Sequence, residues 1–371
     1  MACSLKISSW KLLIVFLLAS NSQHDDLYYA DAKPQVPCFF IFGDSIADNG
    51  NNNNLNTTIK INYLPYGIDF PEGATGRFTN GRTPMDFLAE FMGFDHYIPP
   101  FATANGSDIL EGVNYASGGA GIRNESGQFG GDRMSMNRQL ENHKTTVSRI
   151  IKMLGNREQA MEYLSKCIYA VAIGGNDYFN NYFIPIIYPT NAQFTPSQYA
   201  TVLNQQFSQQ LKTLHKYGAR KVAVYGQDMP RCTLFLKSIC AFNTASCMAY
   251  MTNAITLFND GLKPMVAGLS HSLPDANFIY INYTGIMTSI FNSQGFNKNI
   301  NFPCCQVTGT GNIFPLNCNR HGYVCRNRSQ YAFFDAVHPT EAVYELQTRR
   351  TYRAESPTDS YPFDIEHLAK L

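Results

Sequence analysis

The chain has 371 residues, a formal net charge of +1, 44% hydrophobic residues and 15% charged residues. That length and apolar content suffice for the core of one large domain or two small ones. A charge near zero, without long tracts of one sign, leaves no electrostatic basis for binding nucleic acid or an anionic membrane.

The first predicted element is a leader. Lys6 and Lys11 flank the start of an apolar run from Leu12 to Ala19 that is too short to span a bilayer. Ser20 and Ser22 offer one cleavage site and Ala30-Asp31-Ala32 another, so a signal peptide is expected over residues 1–22, with cleavage between 20 and 32. A buried helix is the alternative, but nothing amphipathic follows. No second run is long enough to span, so a soluble, secreted protein without a stable membrane anchor is expected. Trp10, the sole tryptophan, lies in this leader. Sequons at Asn56, Asn105, Asn124, Asn282 and Asn327 fit secretion and are expected to be glycosylated. No internal repeat or convincing linker divides residues 33–371, which read as one domain with large loop insertions.

After the leader, apolar runs alternate with helical stretches. Cys38–Phe42 reads as the first strand and ends in Gly43-Asp44-Ser45. The polar run Asp48-Asn49-Gly50-Asn51-Asn52-Asn53-Asn54 then reads as a loop beside the site, since Asn and Gly tolerate left-handed backbone. Pro84–Met92 carries Phe87, Leu88 and Phe91 on one helical face. Gly112–Tyr115 is the second strand, followed by Gly118-Gly119. Met136–Leu154 is a long helix, and Cys167–Ile173 is a third strand that ends in Gly174-Gly175-Asn176-Asp177. Pro196–Tyr217 is helical, Lys221–Tyr225 a strand, and Thr244–Leu269 a helix whose length Pro264 limits. Asn277–Ile281 is the fifth strand. Strand alternating with helix predicts a parallel sheet covered on both faces, with ligands beyond the strands' carboxyl ends. The glycine motifs fall at those ends.

Ten cysteines become nine once Cys3 leaves with the leader, an odd count that implies a free thiol unless chains pair. Cys304, Cys305, Cys318 and Cys325 form one group and Cys232, Cys240 and Cys247 another. Disulfides are expected over a zinc site, because the two-residue spacing of paired metal thiolates is missing. Cys38 and Cys167, inside strand-like runs, read as buried, inert thiols.

Two distant segments carry the chemistry. Ser45 follows a glycine turn at a strand end, and the segment Asp335-Ala336-Val337-His338-Pro339 offers an imidazole with a carboxylate three residues before it. A serine hydroxyl needs a base within hydrogen-bond reach, and that base needs an orienting acceptor. Three residues of loop let Asp335 fold back onto one ring nitrogen of His338, leaving the other for Ser45. A helix opening after Ser45 would steady nearby negative charge, and Pro339 is expected to start another helix. The oxyanion needs donors, which the Ser45 and Gly119 amides and the Asn176 side chain can supply. Read singly, Ser45 is a helix cap, Gly118-Gly119 and Asn176 are turn chemistry, and Asp335 and His338 are caps; their joint placement favours catalysis.

Gly43-Asp44-Ser45, the segment Gly112–Gly121, Ile173-Gly174-Gly175-Asn176-Asp177 and Asp335-x-x-His338-Pro339 resemble the four blocks of the GDSL esterases and lipases, the SGNH hydrolases. Gly76-Arg77-Phe78-Thr79-Asn80-Gly81-Arg82, Cys304-Cys305 and the segment Phe334–Ala342 resemble the secreted plant branch. The resemblance runs from about Phe39 to the C-terminus. It implies a flavodoxin-like three-layer α/β/α sandwich with a mainly parallel five-stranded sheet, and an apoplastic or cell-wall location. Ser45 is then the nucleophile, His338 the base and Asp335 its partner, with Ser45, Gly119 and Asn176 forming the oxyanion hole. Gly118 and Gly121 lie close to Gly119, and isoleucine replaces the family's leucine after Ser45. The substrate implied is a small-molecule or lipid acyl ester, cleaved without cofactor or metal. An acyltransferase would share the first half-reaction. A two-metal phosphoesterase would use Asp44, Asp48, Asn176, Asp177 and His338, but the upstream Asp-x-His is missing. A non-catalytic scaffold sits badly with an intact serine, histidine and aspartate. The C-terminal Ala369-Lys370-Leu371 approximates a peroxisomal address, which the leader pre-empts.

Overall fold

Short apolar strands pair because none can satisfy its backbone polar groups alone. In the computed structural model, which describes residues 33–228, 235, 239–240, 244–292, 302–308 and 317–371, five strands run parallel: β1 (Phe39–Gly43), β2 (Gly112–Asn114), β3 (Ile168–Ala172), β4 (Lys221–Tyr225) and β5 (Asn277–Ile281). A sixth, β6 (Ser360–Tyr361), pairs antiparallel with β5. The order is β2-β1-β3-β4-β5-β6. The expectation of five strands missed β6, because two residues carry no readable periodicity. β1 lies between β2 and β3, so the chain reverses its direction of winding there, and a crevice opens beyond the carboxyl ends of β1 and β3.

Strand parity sorts the core into two layers. Phe40, Phe42, Tyr169, Val171, Val222 and Val224 face α2 (Met136–Leu154), α3 (Arg157–Ser165), α4 (Pro196–Lys216) and α5 (Thr244–Ser272). Phe39, Ile41, Ile168, Ala170, Ala223 and Ile279 face α1 (Pro84–Phe91), α6 (Tyr283–Asn292), α7 (Glu341–Tyr352) and α8 (Ile365–Lys370). The result is an α/β/α sandwich, with Gln35–Leu371 forming one compact unit. Caps set the helix starts: Thr83 and Asp86 form a capping box on α1, Ser135 caps α2, and Thr195 with Gln198 boxes α4 behind Pro196.

Several sequence expectations need correction. Helix α5 runs through Pro264 to Ser272. The proline is exposed, while Phe258, Leu262, Val266 and Leu269 keep one face buried on both sides of it, and that packing outweighs the lost backbone bond. Cys38 and Cys167 are not inert thiols but a disulfide, with Cα atoms 4.7 Å apart. Each directly precedes one of two neighbouring parallel strands, and the register Phe39↔Ile168 brings them side by side. The remaining bridges among the described residues are Cys240–Cys247, Cys304–Cys325 and Cys305–Cys318. The predicted leader, Cys3 and Cys232 lie outside the described residues. Among the described residues no helix is long and apolar enough to cross a membrane.

Candidate active site

β1 delivers Gly43-Asp44-Ser45 to the crevice. A Cβ on Gly43 would come 2.9 Å from the Ala172 carbonyl, so the two strands can approach only with glycine there. Gln139 on α2, fully buried, accepts from the Gly43 N–H at 3.0 Å and donates to its carbonyl at 2.7 Å. No helix opens at Ser45, contrary to expectation; the residue sits in a turn, and the next helical residues are a 3-10 turn at Asn51–Asn54. Asp44 accepts from the Ile46 N–H, and Asp48 from those of Gly50 and Asn51. These side chains take the amides that a helix would use.

The asparagine run is the expected loop beside the site, buried from Asp48 to Asn52 and exposed at Asn54. Among the described residues no residue other than glycine has positive φ, so its asparagines are not there for left-handed backbone. Their side chains hold carbonyls instead. Asn51 Nδ2 donates to Asn114 O and Ala116 O, and Asn52 Nδ2 to Ile59 O and Gly118 O. Asp48 Oδ2 accepts from the Gly118 N–H at 2.9 Å. The turn after β2 is thereby bound to the turn after β1. Gly119 follows at φ +80°, a left-handed conformation that favours glycine.

The base arrives from the opposite side of the crevice. His338 Nε2 lies 2.8 Å from Ser45 Oγ, and Nδ1 lies 2.8 Å from Asp335 Oδ2. Asp335 Oδ1 accepts from the backbone N–H groups of Val337 and His338 at 2.8 and 2.7 Å, and Oδ2 from the Tyr66 hydroxyl at 2.7 Å. Asp335 is 1% exposed and His338 7%. Burial pushes the Asp335 carboxyl up, but attraction to His338 and these hydrogen bonds outweigh it and hold the group below its ordinary value. Pro339 does not start a helix: it pairs with Phe333 in a bridge, and α7 begins at Glu341 behind Thr340. Asp335 and His338 therefore cap nothing.

Ser45, Gly119, Asn176 and His338 all line one cavity of about 220 Å³. Asn176 lies in a helical turn after β3, Gly175–Asp177, and its Nδ2 donates to Ala120 O at 2.9 Å. One amide hydrogen remains. No described group accepts from the Ser45 or Gly119 backbone N–H, whereas the Gly118 N–H is taken by Asp48. Neither Gly118 nor Gly121 lines the cavity. The other walls join apolar side chains, Ile46, Ile59, Phe78, Phe179 and Met287, to polar ones, among them Thr58, Asn180, Gln227 and Asn317. Asp44 also faces it; burial pushes that carboxyl up to about 6, only partly offset by the Ile46 N–H and His338. Among the five sequons, Asn56, Asn105, Asn124 and Asn327 are exposed, while half-buried Asn282 donates to Thr358 O and accepts from the Gly285 N–H.

The residues of a two-metal reading do not converge. Asp48 is committed to backbone amides, and Asp177 accepts from the N–H groups of Ile122 and Arg123 and from the Ser126 hydroxyl. Neither lines the cavity. Sequence reasoning missed Tyr66, Gln139 and the scaffolding role of Asn51 and Asn52. Only the asparagine run carried a signal, its unusual density; Tyr66 and Gln139 meet their partners across 269 and 96 residues.

A family model described as GDSL-like Lipase/Acylhydrolase matches residues 39–351. Three proteins of Arabidopsis thaliana, each described as a GDSL esterase/lipase, align along nearly their whole length. Two are 44% identical, over 98% of this chain and 99% of the relative. A third is 43% identical, over 92% of this chain and 94% of the relative.

Proposed function

Because the chain belongs to the GDSL-like lipase/acylhydrolase family, we propose that Ser45, His338 and Asp335 carry out its ester hydrolysis through an acyl-enzyme. The chain is a serine hydrolase acting on ester bonds. The reading of its residues rests above all on one observation: His338 reaches Ser45 through one ring nitrogen and Asp335 through the other, both at 2.8 Å.

Ser45 Oγ attacks the ester carbonyl carbon while His338 Nε2 takes its proton, and the imidazolium is steadied by Asp335. The carbonyl oxygen becomes an oxyanion that accepts from the Ser45 and Gly119 backbone amides and from Asn176 Nδ2. Collapse of this intermediate breaks the ester C–O bond, and His338 returns the proton to the departing alcohol. Water then adds to the acyl-serine with His338 again as base, releasing the carboxylic acid and restoring Ser45. The apolar part of the lining, Ile46, Ile59, Phe78, Phe179 and Met287, suits an acyl chain, so the substrate is an acyl ester with a hydrocarbon acyl group. Secretion is supported by the leader and by four disulfides, which form and persist in oxidising compartments. Asn56, Asn105, Asn124 and Asn327 are the exposed acceptors for glycans.

A series of aryl esters of increasing acyl length, with Ser45→Ala as control, tests this assignment. Ser45→Ala is expected to lose roughly four or more orders of magnitude in kcat and to lose labelling by a fluorophosphonate. Unchanged turnover in that variant would sink the assignment.

A further inference from the structure

We infer that Tyr66 is a positioning residue for the Asp335–His338 pair, tuning the carboxylate through the oxygen that His338 also bonds, with the disulfide-anchored Cys318 amide holding the tyrosine in place. The inference rests on the serine-hydrolase reading above. Tyr66 is fully buried, and its hydroxyl donates to Asp335 Oδ2 at 2.7 Å. The same hydroxyl accepts from the Cys318 N–H at 3.2 Å, and Cys318 is bonded to Cys305. Tyr63 and Phe334 pack edge-on against the ring, each at 5.6 Å between centroids. Burial and the neighbouring carboxylate push the phenol well above its ordinary range, so it remains a donor at any working pH.

Asp335 Oδ1 is already held by two backbone amides, so Tyr66 is not needed simply to keep the carboxylate in place. Its effect falls on Oδ2. A donor there draws charge away from the imidazole side. Without it, Asp335 holds the imidazolium more tightly, and return of the proton to the leaving alcohol slows. The other titratable groups facing the pair are Asp44 from the β1 turn, Tyr63 from the same loop as Tyr66, and Tyr344 from α7. The two phenols stay protonated, but Asp44, near 6, titrates in the window of interest.

The test is Tyr66→Phe in the full-length enzyme, with active sites counted by a fluorophosphonate that labels Ser45. Expected are a kcat lower by about tenfold, a KM within about twofold, and an acid limb of kcat/KM moved up by about half a pH unit. The displacement should persist in an Asp44→Asn background. Placing 3-fluorotyrosine at position 66, a stronger donor of nearly the same shape, should move the limb the other way. An acid limb unmoved by Tyr66→Phe, whatever the fall in kcat, reduces the residue to packing and overturns the inference. If Tyr66→Phe does not fold, the fluorotyrosine enzyme decides by the same limb. Failure of Ser45 to label would instead indict the serine reading itself.

Discussion

The two sides of the cavity are held by different chemistry. On the nucleophile side, the turns carrying Ser45 and Gly119 are tied by uncharged amides and one buried carboxylate: Gln139 on Gly43, Asn51 on Asn114 and Ala116, Asn52 and Asp48 on Gly118. On the base side, Cys304–Cys325 and Cys305–Cys318 pin a segment whose amides at Cys304 and Cys305 donate to Phe333 and Phe334, directly before Asp335. Buried hydrogen-bond networks place a turn accurately but tolerate no missing partner. A disulfide acts mainly by removing freedom from the unfolded chain, and so tolerates a polar, loop-rich segment with little apolar core. The difference predicts that reduction of these two bridges acts on the base side, while the turns bearing Ser45 and Gly119 answer to loss of a single polar group or a change of its charge.

The largest effect should come from unseating the imidazole that crosses between them, through its partner Asp335. Asp335→Asn keeps an oxygen for the Val337 and His338 amides but presents an amide to His338 Nδ1, which forces the wrong tautomer. A loss of roughly 10⁴-fold in kcat is expected, with circular dichroism and unfolding midpoint nearly unchanged. A loss below tenfold would mean that His338 does not depend on Asp335 for orientation.

Next in size is the covalent support. The Cys304–Cys325 bridge closes a separation of 21 residues, for which chain entropy gives a stabilisation of about 3 kcal/mol. The paired change Cys304→Ala, Cys325→Ala should lower the unfolding free energy from urea titration by that amount, and the midpoint with it, while the enzyme that remains folded keeps its kcat. An unchanged midpoint would show that the segment is held by its hydrogen bonds alone, as the nucleophile side is.

The contrast also explains what could be read from sequence. Ser45 after Gly43, and Asp335 three residues before His338, are local patterns whose geometry follows from a few bonds. The helix starts at Pro84, Met136 and Pro196 were likewise legible, and Thr83, Ser135 and Thr195 cap them within one turn. What escaped was long-range: the Cys38–Cys167 bridge, Tyr66 on Asp335 and Gln139 on Gly43 exist only once strand order is set. The asparagine run was placed correctly as a loop beside the site, but the use of its side chains was not legible. Its composition is that of a solvated turn, and only the packed structure shows that Asn51 and Asn52, 0% and 2% exposed, spend their amides on neighbouring carbonyls.

The smallest effect separates the two sides by pH. His143 lies on α2 one turn beyond Gln139, fully buried against Phe40 and Phe42 of β1, with Nδ1 3.1 Å from the Tyr115 hydroxyl. Burial lowers its pKa from 6.5 to about 3. The unfolded chain therefore binds the proton more readily between those values, so stability is present above pH 6.5 and drains away as pH falls toward 3. From pH 7 to pH 5 the loss is about 2 kcal/mol. Asp335, held below its ordinary value of 3.8, loses its contribution only at lower pH. Of these two groups, only His143 loses its contribution between pH 7 and pH 5. Asp44, Asp48 and Asp177, pushed up to about 6 by burial, gain stability over the same interval, so the total curve mixes signs and the informative quantity is a difference. His143→Phe keeps the aromatic packing and does not titrate. Its stability relative to the unmodified enzyme should rise by about 2 kcal/mol between pH 7 and 5 in urea titrations. A difference independent of pH would mean that His143 accepts its proton within the fold, through its unpaired Nε2, and that α2 carries no acid sensitivity into the turn bearing Ser45.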